Sequence, residues 1–371
     1  MPRALGIVTP SGNNIRVNGM DFFRPISAFS FLGRYRIVDF PVSNMSNSDI
    51  EHIQVYVSQN PRSLAEHLGT GRTYNINSKR GKLQLLFNQD SKVNEIYNTD
   101  IRAYSDNMDL IELASEPYVI ITPGYMIFKQ DYSDLLKEHI ASGAEVTLLY
   151  HKVDNADKTF RNCHTIALNR QKGIKSISVN DGSDPETNIF MDTYVMQKDL
   201  FIKLIHKAQK RSSVYRLIDM INEEIDELDI RGLPHKGYFS AVTDFKSYYD
   251  ANLELLDFGK ANDLFTDEWP IYTVTTDACP VRYVKGSRVK NSVVANGCVV
   301  EGAVENSVIG RGVEIRKGAS LKNCVILGHA VIGEGVRLEG QVVDKWAKVV
   351  NIKQIIASPD NPGYVKRGDV L

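Results

Sequence analysis

Few of the chemically active residue types in this chain stand at spacings that would assemble a site by themselves. The eight histidines show no paired metal-ligand spacing, so a zinc site has little support. Cys163, Cys279, Cys298 and Cys324 include no CxxC pair, which implies reduced, mostly buried thiols in a cytoplasmic protein. His329 is the right residue type for a general base. A lone histidine beside Gly328, however, fits an exposed turn. Lys79-Arg80 and Lys82 form a short basic cluster of the kind found on solvated loops. Arg34, Arg36, Asp39 and Asn44 fit a strand and turn held by charge-assisted hydrogen bonds.

The charge balance removes one class of partner. Lysine plus arginine count 44 against 45 acidic residues, a formal charge of 44 − 45 = −1, whereas a nucleic-acid binder carries a basic excess. With 43% hydrophobic and 24% charged residues the chain has a globular composition. No apolar run approaches the roughly 18 residues that a membrane span needs. The segment Met1–Val8 has the pattern of a first β-strand and lacks the longer apolar region of a signal peptide.

The elements that would position a site fall into two regions. At 371 residues the chain is long for one domain. Residues 281–340 hold 10 of the 26 glycines, leaving 16 for the other 311 positions. In that block aliphatics recur every six residues, as Ile309, Ile315, Leu321 and Leu327, and again as Ile326, Ile332 and Leu338. Neither a helix nor a hairpin has that period; a parallel β-helix does, because each coil buries its apolar side chains only by stacking on its neighbours. The register slips near Glu301-Gly302 and Glu339-Gly340 predict an irregular solenoid. Upstream, short apolar runs at Ile53–Val57, Tyr118–Thr122 and Val146–Tyr150 alternate with helical patterns, one opening at Ser133 as a cap and stopping at Gly143. The expectation is an α/β, Rossmann-like region over 1–260 with a mostly parallel sheet, a linker over 261–280, and a β-helix with a C-terminal tail over 281–371. Ligands of such sheets bind at the carboxyl ends of the strands.

One stretch carries a resemblance. Phe31-Leu32-Gly33-Arg34-Tyr35-Arg36-Ile37-Val38-Asp39-Phe40-Pro41-Val42-Ser43-Asn44, followed by Asn47-Ser48-Asp49-Ile50, resembles the GGKYRIIDFPLSN…NSGI signature of the bacterial glucose-1-phosphate adenylyltransferase family. Lys129-Gln130-Asp131-Tyr132 and the segment Tyr238-Phe239 through Ala251-Asn252-Leu253 resemble two further family segments. The hexads resemble its left-handed C-terminal β-helix. The resemblance implies a nucleotidyltransferase domain that makes ADP-glucose for glycogen.

The departures from that pattern are concentrated at the chemistry. The family opens with a Gly-rich loop, GGxGTRL, whose backbone N–H groups cradle phosphates. Here the loop is Thr9-Pro10-Ser11-Gly12-Asn13-Asn14-Ile15-Arg16, with one glycine and a proline that lacks the donor; only Arg16 stands near the family arginine. Magnesium needs hard carboxylate ligands. The family aspartate of GDHIY is Tyr125 here, and that of YWxDVGT is Ala241. The sugar-phosphate lysine of the EKP motif has no counterpart among Ser178–Ile189, although Met191-Asp192-Thr193-Tyr194-Val195-Met196 matches the SMGIYVF strand that follows it. Arg24 stands at the family's Lys-Pro near the substrate and effector region, and Gln59 at a base-reading glutamine; with Arg16 these are the candidate ligand or effector contacts.

The resemblance, with its losses, implies a regulatory or structural subunit without catalytic residues or a metal of its own, similar to the D-type subunit. Such a chain joins a catalytic adenylyltransferase subunit in a hetero-oligomer, as a tetramer, where Mg²⁺ belongs to the partner. The expected setting is the cytoplasm, with neither nucleic acid nor membrane as a partner, and a nucleotide or sugar phosphate as a residual ligand. The alternative is an active nucleotidyltransferase with relocated metal ligands such as Asp131 and Asp244. A hexapeptide acyltransferase using His329 is the third reading.

Overall fold

A computed structural model describes residues 3–10, 15–17, 19–57, 59–77, 79, 81–87 and 97–371. The main sheet of the first region has nine strands: β1 (Ala4–Thr9), β2 (His52–Val57), β3 (Lys82–Phe87), β4 (Tyr118–Pro123), β5 (Val146–Val153), β6 (His164–Leu168), β7 (Ile174–Val179), β8 (Thr187–Gln197) and β9 (Ile230–Pro234). Every residue of β1 and β2 is buried, as expected for central strands covered on both faces. The order is β7-β6-β8-β4-β1-β2-β3, with β5 also pairing β8, and β9 outside β5. The half around β1 is parallel. The half around β8 is mostly antiparallel, because β6 and β7 form an antiparallel pair and β8 then runs against β4, β5 and β6. The sheet is therefore mixed, more so than the alternating pattern of runs suggests.

Apolar residues fill both faces. One core joins the sheet to helix α1 (Asp39–Asn47) and to the solenoid through Val308, Val325 and Val342. The other packs the sheet against helices Asp100–Asp106, Lys198–Arg211 and Leu217–Glu223. The helix Tyr132–Ser142 starts two residues earlier than its sequence suggests. Its cap is Asp131, whose side chain accepts from the Ser133 and Asp134 amides, and Gly143 ends it at φ 70°. The helix Phe258–Leu264 runs across residue 260, and the following segment docks on α1 through Trp269 Nε1 donating to Asn44 Oδ1 at 2.8 Å and Asn47 Nδ2 donating to the Pro270 carbonyl at 2.9 Å.

From Arg282 onward the chain forms three parallel five-stranded sheets, the architecture of a left-handed parallel β-helix. Ile309, Ile315 and Leu321 lie on three consecutive sides of one coil and are buried. Ile309 pairs with Ile326 one coil on, so a coil takes 326 − 309 = 17 residues: two hexads and a five-residue side. The preceding step, Val294 to Ile309, takes 309 − 294 = 15, which places the register slip at Glu301-Gly302. Gly33 meets this solenoid so closely that a Cβ would come 2.7 Å from the Ile309 carbonyl oxygen, and its φ is 73°. Among the described residues no helix is long and apolar enough to cross a membrane.

Candidate functional site

At the strand ends where a ligand would bind, a buried tyrosine takes up part of the space. Gly124 is held to the Thr9 carbonyl at 2.9 Å, and Tyr125 follows with its side chain buried. The strands Met126–Phe128 and Phe239–Ala241 pair antiparallel, with Ala241 opposite Met126 and the Val242 amide donating to the Tyr125 carbonyl at 2.9 Å. The structure thus brings Tyr125 and Ala241 side by side, although 241 − 125 = 116 positions separate them.

Tyr125 donates its hydroxyl to Asp192 Oδ2. Burial, and after it the Asp192 carboxylate, push the phenol well above its ordinary range, so it remains a protonated donor. Asp192 holds φ 43°, in the left-handed region, at the position where the family strand SMGIYVF has glycine. His164 Nδ1 lies 3.5 Å from Asp192 Oδ1 without a hydrogen bond. Around this pair Thr9, Asn98, Tyr104 and Tyr194 line a cavity of about 60 Å³. A ligand of drug size takes a pocket of roughly 300–1,000 Å³. That cavity admits waters only, whereas Ala241, with Ser240, Thr243 and Asp244, lines an open pocket of about 680 Å³ on its other side.

Both alternative carboxylates have a structural role. Asp131 caps one helix, and Asp244 caps the helix Phe245–Glu254 by accepting from the Ser247 amide at 2.7 Å. Among the described residues no three His, Cys, Asp or Glu side chains converge as a metal site. His329 is an exposed turn residue at φ 62°, stacked on Trp346 with ring centroids 4.3 Å apart. Asp39 is fully buried and accepts from the Arg36 amide, the Tyr74 hydroxyl and His67 Nε2, and Asn44 Nδ2 donates to the Phe128 carbonyl. These signature residues hold the scaffold. Of the basic cluster, Lys82 opens β3 and Arg80 lies outside the described residues, as do Ser11–Asn14 of the loop after β1.

Another cleft, of about 800 Å³, lies between the α/β region and the solenoid. Arg24, Arg36, Arg62, Lys345 and Arg367 line it, with Phe23, Phe87 and Trp346. Arg24 is buried, and its Nη2 lies 2.7 Å from both oxygens of Asp344. Asp344 also accepts from the Tyr364 hydroxyl at 2.7 Å and the Lys345 amide at 2.6 Å, so its charge is spent on Arg24 and its lone pairs are occupied. Arg36 donates to the Ser63 carbonyl, Arg62 pairs with Glu66 at 2.9 Å, and Arg367 lies over the Phe23 ring at 5.8 Å. Positive charge therefore exceeds negative in the cleft. Of the three candidate contacts, Arg24 lines it, Gln59 is half-buried beside its rim residue Asn60, and Arg16 is exposed. Asp192, Asp344, Lys345 and Arg367 were not legible as site residues. Only Asp192 had a signal, a charged residue at the glycine position of a matched strand.

The nucleotidyl transferase family pattern matches residues 12–257, and the pattern described as GlmU-like, C-terminal hexapeptide matches residues 280–361. The chain belongs to the nucleotidyl transferase family, within its glucose-1-phosphate adenylyltransferase group. It is 28% identical over 367 residues to the glycogen biosynthesis protein GlgD of Bacillus subtilis, covering 98% of this chain and 96% of that one. It is 32% identical to the glucose-1-phosphate adenylyltransferase of Clostridioides difficile over 82% of this chain and 80% of that enzyme. It is 30% identical to GlgD of Geobacillus stearothermophilus over 80% and 76%.

Proposed function

We propose that this chain is a non-catalytic, regulatory or structural subunit of glucose-1-phosphate adenylyltransferase in cytoplasmic glycogen biosynthesis, assembling with a catalytic subunit into a hetero-oligomer and raising its activity. The observation that carries this reading is Tyr125 beside Ala241, a phenol hydrogen-bonded to Asp192 and a methyl group standing where the family pattern has its two metal carboxylates. The scaffold contacts of Asp39 and Asn44 are kept, so the losses fall on chemistry and spare the fold. Mg²⁺ belongs to the catalytic partner in this reading. Active chemistry with relocated ligands is disfavoured because Asp131 and Asp244 are committed to helix caps. The cationic cleft is the place for the residual ligand, a small phosphorylated effector facing Arg24, Arg36 and Arg367.

Activation by a partner requires differential affinity for its active state, and a coupling of about 1–3 kcal/mol gives roughly 5–150-fold. The test titrates this chain into a catalytic subunit while following ADP-glucose synthesis and molecular mass by light scattering. A mixed oligomer with raised activity is expected. Turnover by the chain alone on the order of 10 per second, or the absence of any mixed species, would refute the reading.

A further inference from the structure

The end of the solenoid places one amine in an unusual setting. Lys345 belongs to the turn Asp344-Lys345-Trp346-Ala347, whose backbone is held on both sides: its amide donates to Asp344 Oδ1 at 2.6 Å, and its carbonyl accepts from the Gly368 amide at 3.1 Å. The side chain is half-buried and lines the cationic cleft. Among the described residues no hydrogen bond or ion pair reaches its Nζ. The charged groups that face it are Arg24, Arg36, Arg367 and Asp344, and the last is neutralised by Arg24. The cations around this lysine disfavour its ammonium form, and of the guanidinium groups only Arg24 has a carboxylate partner, while Arg36 donates to the Ser63 carbonyl and Arg367 lies over Phe23.

We propose that Lys345 is a carbamylation site: its amine adds dissolved carbon dioxide, and the resulting carbamate supplies the anion that Arg36 and Arg367 lack. The nitrogen lone pair forms a bond to the carbon of CO₂, one C=O electron pair moves onto oxygen, and a proton leaves nitrogen for solvent. Lys–NH₂ + CO₂ thus becomes Lys–NH–COO⁻ + H⁺. No oxidant, metal or leaving group is needed. The neutral amine is the reactive form, and desolvation followed by Arg36 and Arg24 holds the Lys345 ammonium down to about 7. An amine beside other cations is a recognised route to a nucleophilic lysine. An acetyl group would cap the nitrogen without supplying a charge, so it does not answer the arginines. This inference does not depend on an adenylyltransferase partner, and its test uses the chain alone.

The full chain is equilibrated with ¹³C-bicarbonate at neutral to slightly alkaline pH, trapped with triethyloxonium and analysed by peptide mass spectrometry. The expected result is an ethyl carbamate on Lys345 at least about tenfold above exposed Lys348 and Lys366, because an ordinary lysine is almost wholly protonated there. Lys345→Arg should abolish the signal with the fold intact by circular dichroism. The exposed variant Arg367→Gln should reduce it, and inorganic phosphate should suppress it by taking the same cations. Recovery of Lys345 peptide in the unmodified form only, labelling no higher than at Lys348, or labelling undiminished by saturating phosphate would each overturn the proposal.

Discussion

The Tyr125 hydroxyl donates to Asp192 across the strand ends, joining two residues that are 192 − 125 = 67 positions apart. Each departs from the family pattern in a way that requires the other. A tyrosine in place of aspartate brings a buried donor, and an aspartate in place of glycine brings the acceptor, at the cost of a left-handed backbone. Returning either residue alone to the family type breaks the pair.

That coupling is measurable. Tyr125→Phe should cost about 1–3 kcal/mol by leaving the Asp192 carboxylate without its hydrogen bond. Tyr125→Asp should cost more, on the order of 3–5 kcal/mol, because two carboxylates then share a buried site, and it should produce no ADP-glucose synthesis. Adding Asp192→Gly to Tyr125→Asp should recover part of the loss. Urea unfolding of the wild type, Tyr125→Asp, Asp192→Gly and the double variant checks it, and strictly additive costs would count against the coupling.

A buried ion pair, Arg24–Asp344, adds to the apolar contacts at the junction between the regions. Asp344→Ala leaves the Arg24 guanidinium uncompensated, and the expected cost is about 3–5 kcal/mol. Calorimetry should show the transition broadened or divided as the solenoid loosens from the α/β region. An unchanged single transition would mean that the apolar contacts of Val308, Val325 and Val342 suffice.

His235 predicts a slope in stability with pH. Its Nε2 donates to the Lys129 carbonyl at 3.0 Å, its Nδ1 faces His151 Nδ1 at 3.0 Å, and burial holds its pKa down to about 4. Between 6.5 and about 4 the unfolded chain binds a proton that the folded chain refuses. This stability is therefore full above pH 6.5 and falls with acidification, by up to about 3 kcal/mol. Asp100 acts in the opposite sense: burial raises its carboxyl to about 6, so the folded state gains protons first as pH falls towards 3.8. Comparing the chain with His235→Gln isolates the histidine. The advantage of the wild type over the variant should shrink from pH 7 to 4, and a constant difference would refute the assignment.

Ile326→Asp tests the dependence of assembly on the solenoid. Ile326 is fully buried between coils, and a carboxylate there has no partner. Co-sedimentation with a catalytic subunit and its activation should be lost together. Retained activation with a melted solenoid would move the interface to the α/β region.

The amino-acid sequence alone determined the two architectures, because each buries apolar residues with a local period: runs such as Val146–Tyr150 in covered strands and Ile309, Ile315 and Leu321 on successive sides of a coil. It also located the departures from the family motifs at Tyr125 and Ala241, since motifs are contiguous. The five-residue side of each coil, the antiparallel β8 and the Asp131 cap required coordinates, because they depend on which neighbour a strand or amide finds. Only the tertiary structure decided that Asp192 answers Tyr125, that Arg24 reaches Asp344 across 320 positions, and that Lys345 stands among arginines. Such pairs have no spacing of their own. Two residues far apart in the chain meet because the elements carrying them pack, and their charge or hydrogen bond becomes decisive only after that packing has removed water from both.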